Sequence, residues 1–463
     1  MKTFSSDCAA SGDLIETEGY LPLCSDGKEA PCINSFEAKL EGSDWVKAEF
    51  LGYVDLTPTE EAFSSFLKGM KQNFPLSKFY DKNTKVSWDS KLGFPASATG
   101  SAKFRFPGIP NAAGTETYVL RSTFQANGNA NRSAKGSEVK YTSFNTSISP
   151  YVDAAASFAD TSARVLYTQS TLDPLPFVNQ FGAAGDATKF AWSENGKLGY
   201  AAAFHEKSRF RITLSVPSKL GGWYHGRMAD PNLTLKQLGN GQSLLTIDAK
   251  SVKVPVTSSW VRLFDDSGKI TPFSRESDVN SPHMQFEKTR NDAGQFGATG
   301  PIWEPGRQGI EEFNRHEAML GTSSKGSAEV WSVSMMGQQD PAKSRCMQNT
   351  SSIQGLITTN SMVYQAGVPD FTNGFLEYKV AGLHYDHKNE LALGQYDLII
   401  KSDAARCLYG FSKAPLSATV SVINDKGTKT TATTVVSEKN GWLKMAAYGF
   451  TFSKKTIKVK ITK

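Results

Sequence analysis

Between Lys85 and Met336 the chain repeats one device: short runs rich in Val, Thr, Phe and Tyr, each ended by Gly, Asn, Asp or Ser. Thr117-Tyr118-Val119-Leu120 and Arg209-Phe210-Arg211-Ile212-Thr213-Leu214-Ser215-Val216 are two such runs. Trp260-Val261-Arg262-Leu263-Phe264, stopped by Asp-Asp-Ser-Gly, is another. β-branched and aromatic residues fit a pleated, half-buried surface, and turn residues at this spacing favour an antiparallel sandwich or barrel. The expected fold is mainly β: antiparallel β-sandwich domains with one or two short helices and an immunoglobulin-like C-terminal module.

Helical periodicity interrupts this pattern twice. Thr57 is a good N-cap, Pro58 sits at the first helical position and Glu60 closes a capping box. Phe63, Phe66, Leu67 and Met70 then form one apolar stripe, so 57–73 is expected to be a helix docked on a sheet. A second, shorter helix is expected from Ile310 to Leu320, after Pro305-Gly306. At 463 residues the chain has room for about three domains of ~150 residues. The reading places an N-terminal disulfide-containing β segment plus helix over 1–84 and a β-rich domain over 85–336. A linker carrying Asp340-Pro341 leads to a β-sandwich over 344–463.

Glycine (39) and proline (20) together stay near the background frequency of ~12%, and 21% of residues are charged, which excludes collagen-like and highly charged disordered chains. No apolar run approaches the ~18 residues of a membrane-spanning helix, and Met1 to Gly12 carries no apolar leader core.

Three of the five cysteines, Cys8, Cys24 and Cys32, lie near the start; Cys346 and Cys407 lie in the last module. An Asp-Gly turn between Cys24 and Cys32 brings them within bridging reach. Cys346 and Cys407 are expected to staple the first segment of the last module to a later strand, leaving Cys8 over. Two bridges imply an oxidising compartment, hence an extracellular or cell-surface location. No Cys/His spacing of the structural zinc kind occurs.

The net charge of +6 conceals an asymmetry. Residues 401–463 hold 12 Lys/Arg against 3 Asp/Glu, while the rest is slightly acidic. At the end of the chain Ile457, Val459 and Ile461 alternate with Lys458 and Lys460. Either these lysines guard an edge strand against unwanted pairing, or they form a docking surface for an anionic polymer. No nucleic-acid-binding module accompanies them, so nucleic acid is not an expected partner.

Arg406-Cys407-Leu408-Tyr409-Gly410-Phe411, Gly441-Trp442-Leu443, the run Tyr448-Gly449-Phe450-Thr451-Phe452-Ser453 and the Thr-Ile-Lys-Val-Lys ending resemble the C-terminal portion of secreted β-rich proteins of actinobacteria, a group with no assigned activity. The resemblance implies secretion and a β fold, and transfers no catalytic residue.

The chain carries no Gly-x-Ser-x-Gly, phosphate-binding loop, dinucleotide fingerprint or His-Glu-x-x-His, and no cofactor or metal is expected. Three constellations remain. Trp223, Tyr224, His225 and Arg227 stand in a glycine-rich stretch, where aromatic faces and a cation suit sugar stacking or anion binding; an ordinary sandwich loop looks the same. Trp303 and Glu304 precede Glu311, Glu312 and His316, a set that reads as a carboxylate pair of the glycosidase type or as a solvated helix. His384-Tyr385-Asp386-His387 reads as a hairpin turn rather than a metal site. The expected function is therefore a non-enzymatic surface or secreted protein that binds a cell-wall glycan or other polysaccharide, or forms part of an envelope. The alternative is a secreted carbohydrate-active hydrolase using paired carboxylates.

Overall fold

The computed structural model describes residues 14–24, 31–54, 97–129, 140–157, 191–262, 295–300, 310–317, 321–335, 346 and 352–462, with short interruptions at 99, 195–196, 219, 240, 312, 315–316, 325, 366, 411–416, 425–428, 432 and 453–454. The expected helix over 57–73, Cys8 and the linker around Asp340-Pro341 lie outside the described residues.

The first strands are β1 (Leu14–Tyr20), β2 (Cys32–Leu40), β3 (Val46–Lys47), β4 (Glu49–Val54), β5 (Ser101–Arg105), β6 (Thr117–Asn129) and β7 (Lys140–Ser157). Next come β8 (Ala191–Glu194), β9 (Lys197–Ala201), β10 (Ser208–Pro217), β11 (Gly222–Arg227), β12 (Ala229–Gln237), β13 (Gln242–Lys250) and β14 (Val252–Arg262). They are followed by β15 (Gln295–Gly300), β16 (Gly326–Met335), β17 (Ile353–Thr359), β18 (Val363–Tyr364), β19 (Asp370–Thr372), β20 (Phe375–Ala381) and β21 (Leu393–Lys401). One helix, α1 (Ser402–Tyr409), then precedes β22 (Ser417–Asn424), β23 (Lys429–Thr431), β24 (Thr433–Lys439), β25 (Trp442–Thr451) and β26 (Lys455–Thr462). The expected mainly β, antiparallel architecture is what the chain adopts. At the expected second helix, Ile310, Glu311, Phe313, Asn314 and Glu317 are helical, with Phe313 buried.

A long sheet runs β24-β25-β21-β17-β11-β16-β7-β6-β5-β4. Two smaller sheets cover it: β12-β13-β10-β2-β3, and β18-β20-β26-β22-β23 with β19 beside β20. Alternation decides what each covers. On β13, Leu245, Ile247 and Ala249 face inward and join Phe36, Phe210 and Ile212 in a first core. On β26, Ile457, Val459 and Ile461 face inward and join Tyr378, Leu398 and Leu443 in a second.

The two covers lie on opposite faces of the long sheet. Successive residues of one strand point to opposite faces. Tyr224, Leu356 and Ile399 belong to the first core, whereas Trp223, Ile357, Leu398 and Ile400 belong to the second. Strands β11, β17 and β21 are thus sandwiched on both sides, and all seven residues of β17 are buried. Doubly covered strands need near-continuous apolar sequence, which Leu356-Ile357 and Leu398-Ile399-Ile400 supply. β11 and β17 pair in parallel, and through them the long sheet passes from one sandwich into the other.

This continuity changes the expected division of the chain. Among the described N-terminal residues, strands pair across the expected boundary: β1 with β6, β2 with β10 and β4 with β5. The 344–463 module does form two facing sheets, yet one of them is the end of the long sheet.

Both expected disulfides are present, Cys24–Cys32 with Cα atoms 5.1 Å apart and Cys346–Cys407 with Cα atoms 5.6 Å apart. Cys407 lies on α1, however, and not on a strand. The helix ends at Gly410, whose positive φ of 68° lets its N–H reach the last carbonyls. Arg406 fixes α1 to β24 by a two-pronged bond to Glu438, at 2.8 and 3.0 Å. The edge-strand reading of the terminal lysines is overturned, because β26 lies between β20 and β22. Lys458 stands opposite Glu377 and pairs with it at 2.6 Å.

Candidate functional site

The expected sugar-binding loop at Trp223, Tyr224, His225 and Arg227 is a buried strand. All four side chains are at most 7% exposed, because β11 is clasped between β16 and β17 and covered on both faces. The glycine that suggested a loop has a packing reason: a Cβ on Gly226 would stand 2.2 Å from the Ser332 carbonyl oxygen. Trp223 similarly lies against Gly355 of β17.

His225 and Arg227 point into the second sandwich and hold β18 and the turn before it. Nδ1 of His225 lies 2.8 Å from the Tyr364 hydroxyl. Burial, reinforced by the Arg227 charge, pushes the imidazole pKa down to about 3, so the ring is neutral at pH 7. Arg227 donates from Nη2 to the Met362 carbonyl at 2.7 Å and from Nη1 to the Ser361 carbonyl, with its guanidinium 5.0 Å from the Tyr364 ring centroid. Burial lowers the guanidinium pKa to about 10, opposed by Tyr364 and Tyr378, which leaves it charged. Two buried carbonyls are satisfied by one side chain, which is an anchoring task.

Trp303, Glu304, Glu312 and His316 lie outside the described residues. At the third constellation the turn reading holds: the Asp386 carboxylate accepts from the Lys388 and Glu390 N–H groups at 2.8 and 2.9 Å, and Asn389 has φ 63°. His384 bonds the Phe452 carbonyl at 2.9 Å. Among the described residues no group of three His, Cys, Asp or Glu is placed to hold a metal.

Two aromatic rings on the outer faces of the cover sheets have what the buried segment lacks. Trp45, half-buried beside β3, has the Arg211 guanidinium 3.7 Å and the Lys39 ammonium 5.0 Å from its ring centroid. Phe375, half-buried at the start of β20, has the ammonium groups of Lys458 and Lys460 at 5.7 and 5.9 Å. Each ring has two cations over it, of which Arg211 also pairs with Glu37 at 3.3 Å and Lys458 with Glu377, so apolar surface and positive charge lie together on these faces. The sequence signal for the second was the Lys458/Lys460 alternation. The first joins residues from β2, β10 and the turn between β2 and β3, and only strand pairing brings them together.

A third cluster lies where the β12 edge of one cover meets the long sheet. Asp397 of β21 is fully buried, and its Oδ1 accepts the Tyr448 hydroxyl at 2.7 Å. Burial is the main cause that raises its pKa to about 6; the Tyr448 bond and Lys444 act the other way, and the Asp230 charge adds to the rise. Lys444 of β25 pairs with Asp230 of β12, which Arg209 also holds at 3.0 Å.

Comparison of the chain with known families, curated proteins and solved structures gives no match.

Proposed function

We propose that this protein is a non-enzymatic extracellular or surface protein that binds an acidic polysaccharide of a cell envelope through the outer faces of its two cover sheets. The observation that carries the reading is the repeated grouping of an aromatic ring with two cations over it, at Trp45 and at Phe375. The two disulfides support an oxidising compartment. The basic excess of residues 401–463 supports an anionic partner. The hydrolase alternative requires a cleft with two carboxylates beside Trp223 or Trp303. Trp223 is 2% exposed, and Trp303 lies outside the described residues.

The test is binding of the full chain to polygalacturonate, with neutral dextran as control. Binding to the acidic polymer is expected to fall about tenfold in Trp45→Ala and in Lys458→Glu/Lys460→Glu. It should also weaken as salt is raised, since exposed charges are screened within about 10 Å at 0.1 M. Equal binding of both polymers, or binding indifferent to both variants and to half-molar salt (roughly five times that ionic strength), contradicts the proposal.

A further inference from the structure

We infer that Lys444 and Asp230 condense into an intramolecular amide that ties the cover sheet at β12 to the long sheet at β25, with Asp397 shuttling the proton. The inference does not depend on the polymer-binding reading.

Three features of the cluster go beyond what an ordinary surface ion pair requires. The first is backbone placement. The β12–β13 register breaks between Ala229 and Asn232, and within that bulge Asp230 adopts φ 49° immediately before Pro231. A left-handed conformation is unfavourable for a residue with a Cβ, and a following proline disfavours helical geometry further. Bulges of this sort re-aim a side chain, and here the carboxylate is delivered to Lys444 across the seam between sheets.

The second feature is the amine. The Lys444 side chain is only 13% exposed, although lysine normally keeps its ammonium in water, while the Asp230 side chain it meets is 54% exposed, so the pair sits at the rim of the seam. The third is the buried acid. Asp397 stands opposite Ala446 and Lys444 opposite Ile399 in the β21–β25 pair, so the two side chains are diagonal neighbours on one face. Tyr448 donates to Oδ1 of Asp397, and the Asp230 backbone also acts on this carboxylate, which brings the buried acid beside the residue it would serve. Burial, which makes the neutral form accessible in mild acid, acts on Asp397, while Arg209 keeps the Asp230 carboxylate polarised through Oδ2 at 3.0 Å.

The reaction balances without a co-reactant. Lys444 passes its extra proton to the Asp230 carboxylate it is paired with, Nζ attacks Cγ of Asp230, and a new C–N bond forms as the bond from Cγ to the protonated oxygen breaks. Asp397 gives its proton to that departing hydroxyl, which leaves as water, and regains one from the attacking nitrogen. Nothing is oxidised or reduced. Well-oriented held reactants reach effective molarities on the order of 10⁵ M or more, which lowers the barrier to the condensation.

The intact mass of the reduced full-length protein is expected to be one water below the sequence mass, and a peptide digest to contain a branched peptide joining Asp230 to Lys444. Lys444→Arg keeps the charge and is expected to show no water loss. Asp397→Asn keeps the size and an acceptor for Tyr448, and is expected to slow the loss at least tenfold while circular dichroism stays that of the wild type. A wild-type chain at full sequence mass, with Asp230 and Lys444 recovered on separate peptides, overturns the inference. So does a water loss that survives Lys444→Arg, which marks an aspartyl imide instead. Full-rate loss in Asp397→Asn removes Asp397 from the reaction and overturns its assigned role.

Discussion

The two sandwiches share a sheet but are filled in different ways. The first is closed mainly by phenylalanine rings: Phe36 meets Phe104 and Phe106 edge-on at 5.2 and 4.7 Å, and Phe204 approaches Phe210 at 5.4 Å. The second is built around phenols and charge. Tyr378 stands 5.1 Å from Tyr396 and 6.3 Å from Tyr364, with His225 and Arg227 entering from β11. A dry core gains from area alone and tolerates repacking. The His225–Tyr364 bond and the two carbonyl bonds of Arg227 require one arrangement of β18 on β11, so they fix how the second cover sits on the shared strands.

Truncation separates the two modes. Phe36→Ala removes the hub of the first core, and unfolding by denaturant is expected to show a loss of about 4 kcal/mol, the usual cost of a buried phenylalanine. Arg227→Met keeps much of the volume but leaves the Ser361 and Met362 carbonyls without their donor, an expected loss of about 3 kcal/mol. Its distinguishing readout is local: amides near 361–364 should exchange faster while those of β10 and β13 stay protected. Equal loosening of both covers by Arg227→Met removes the distinction.

Gly355→Ala probes the shared strands. A Cβ there would lie 2.3 Å from the Trp223 ring and 2.7 Å from the Ile399 carbonyl oxygen, so β17 cannot keep both neighbours. The expected cost is about 2 kcal/mol, read from the denaturation midpoint. A neutral substitution shows that β17 is packed less tightly than its burial implies.

The buried titrating groups give a slope of opposite sign on each side of the sheet. His225 is held neutral, near pKa 3 against an ordinary value of about 6.5; its stabilisation is complete above 6.5 and is lost as pH falls toward 3. Asp397 is held at about 6 against an ordinary value of about 3.9; its stabilisation is complete below 4 and is lost as pH rises through 6. Between pH 4 and 6 the two oppose each other. Asp397→Asn leaves only the histidine branch, so stability relative to wild type should fall by about 1.4 kcal/mol for each pH unit of acidification across that window. Parallel curves for variant and wild type place the Asp397 proton elsewhere.

Much of this was legible in the sequence where the relevant physics is local. Strict alternation marked Ile457, Val459 and Ile461 as inward, and a short Asp-Gly connection marked the Cys24–Cys32 bridge. Where pairing is long-range the sequence was silent. Alternation in β26 cannot say whether its neighbours are one strand or two, and it has two. The β11 segment looked like a loop because its glycines and polar residues match loop composition, whereas they answer to close strands and a buried anchor. Lys444 and Asp230 are 214 positions apart, and no spacing rule connects them. Helix α1 was missed because Lys401, at its N-cap, makes no side-chain capping bond.

One continuous sheet, passing through the parallel β11–β17 pair, makes the two sandwiches a single cooperative unit. Native-state hydrogen exchange at Leu356 and Ile357 of β17 tests it most directly, because both residues are fully buried between the two covers. Their amides are expected to exchange only through global unfolding, with protection equal to the slowest amides of β10 and β21. Faster exchange at β17 while β10 and β21 both remain protected contradicts it, and shows two units that open along the line where they meet.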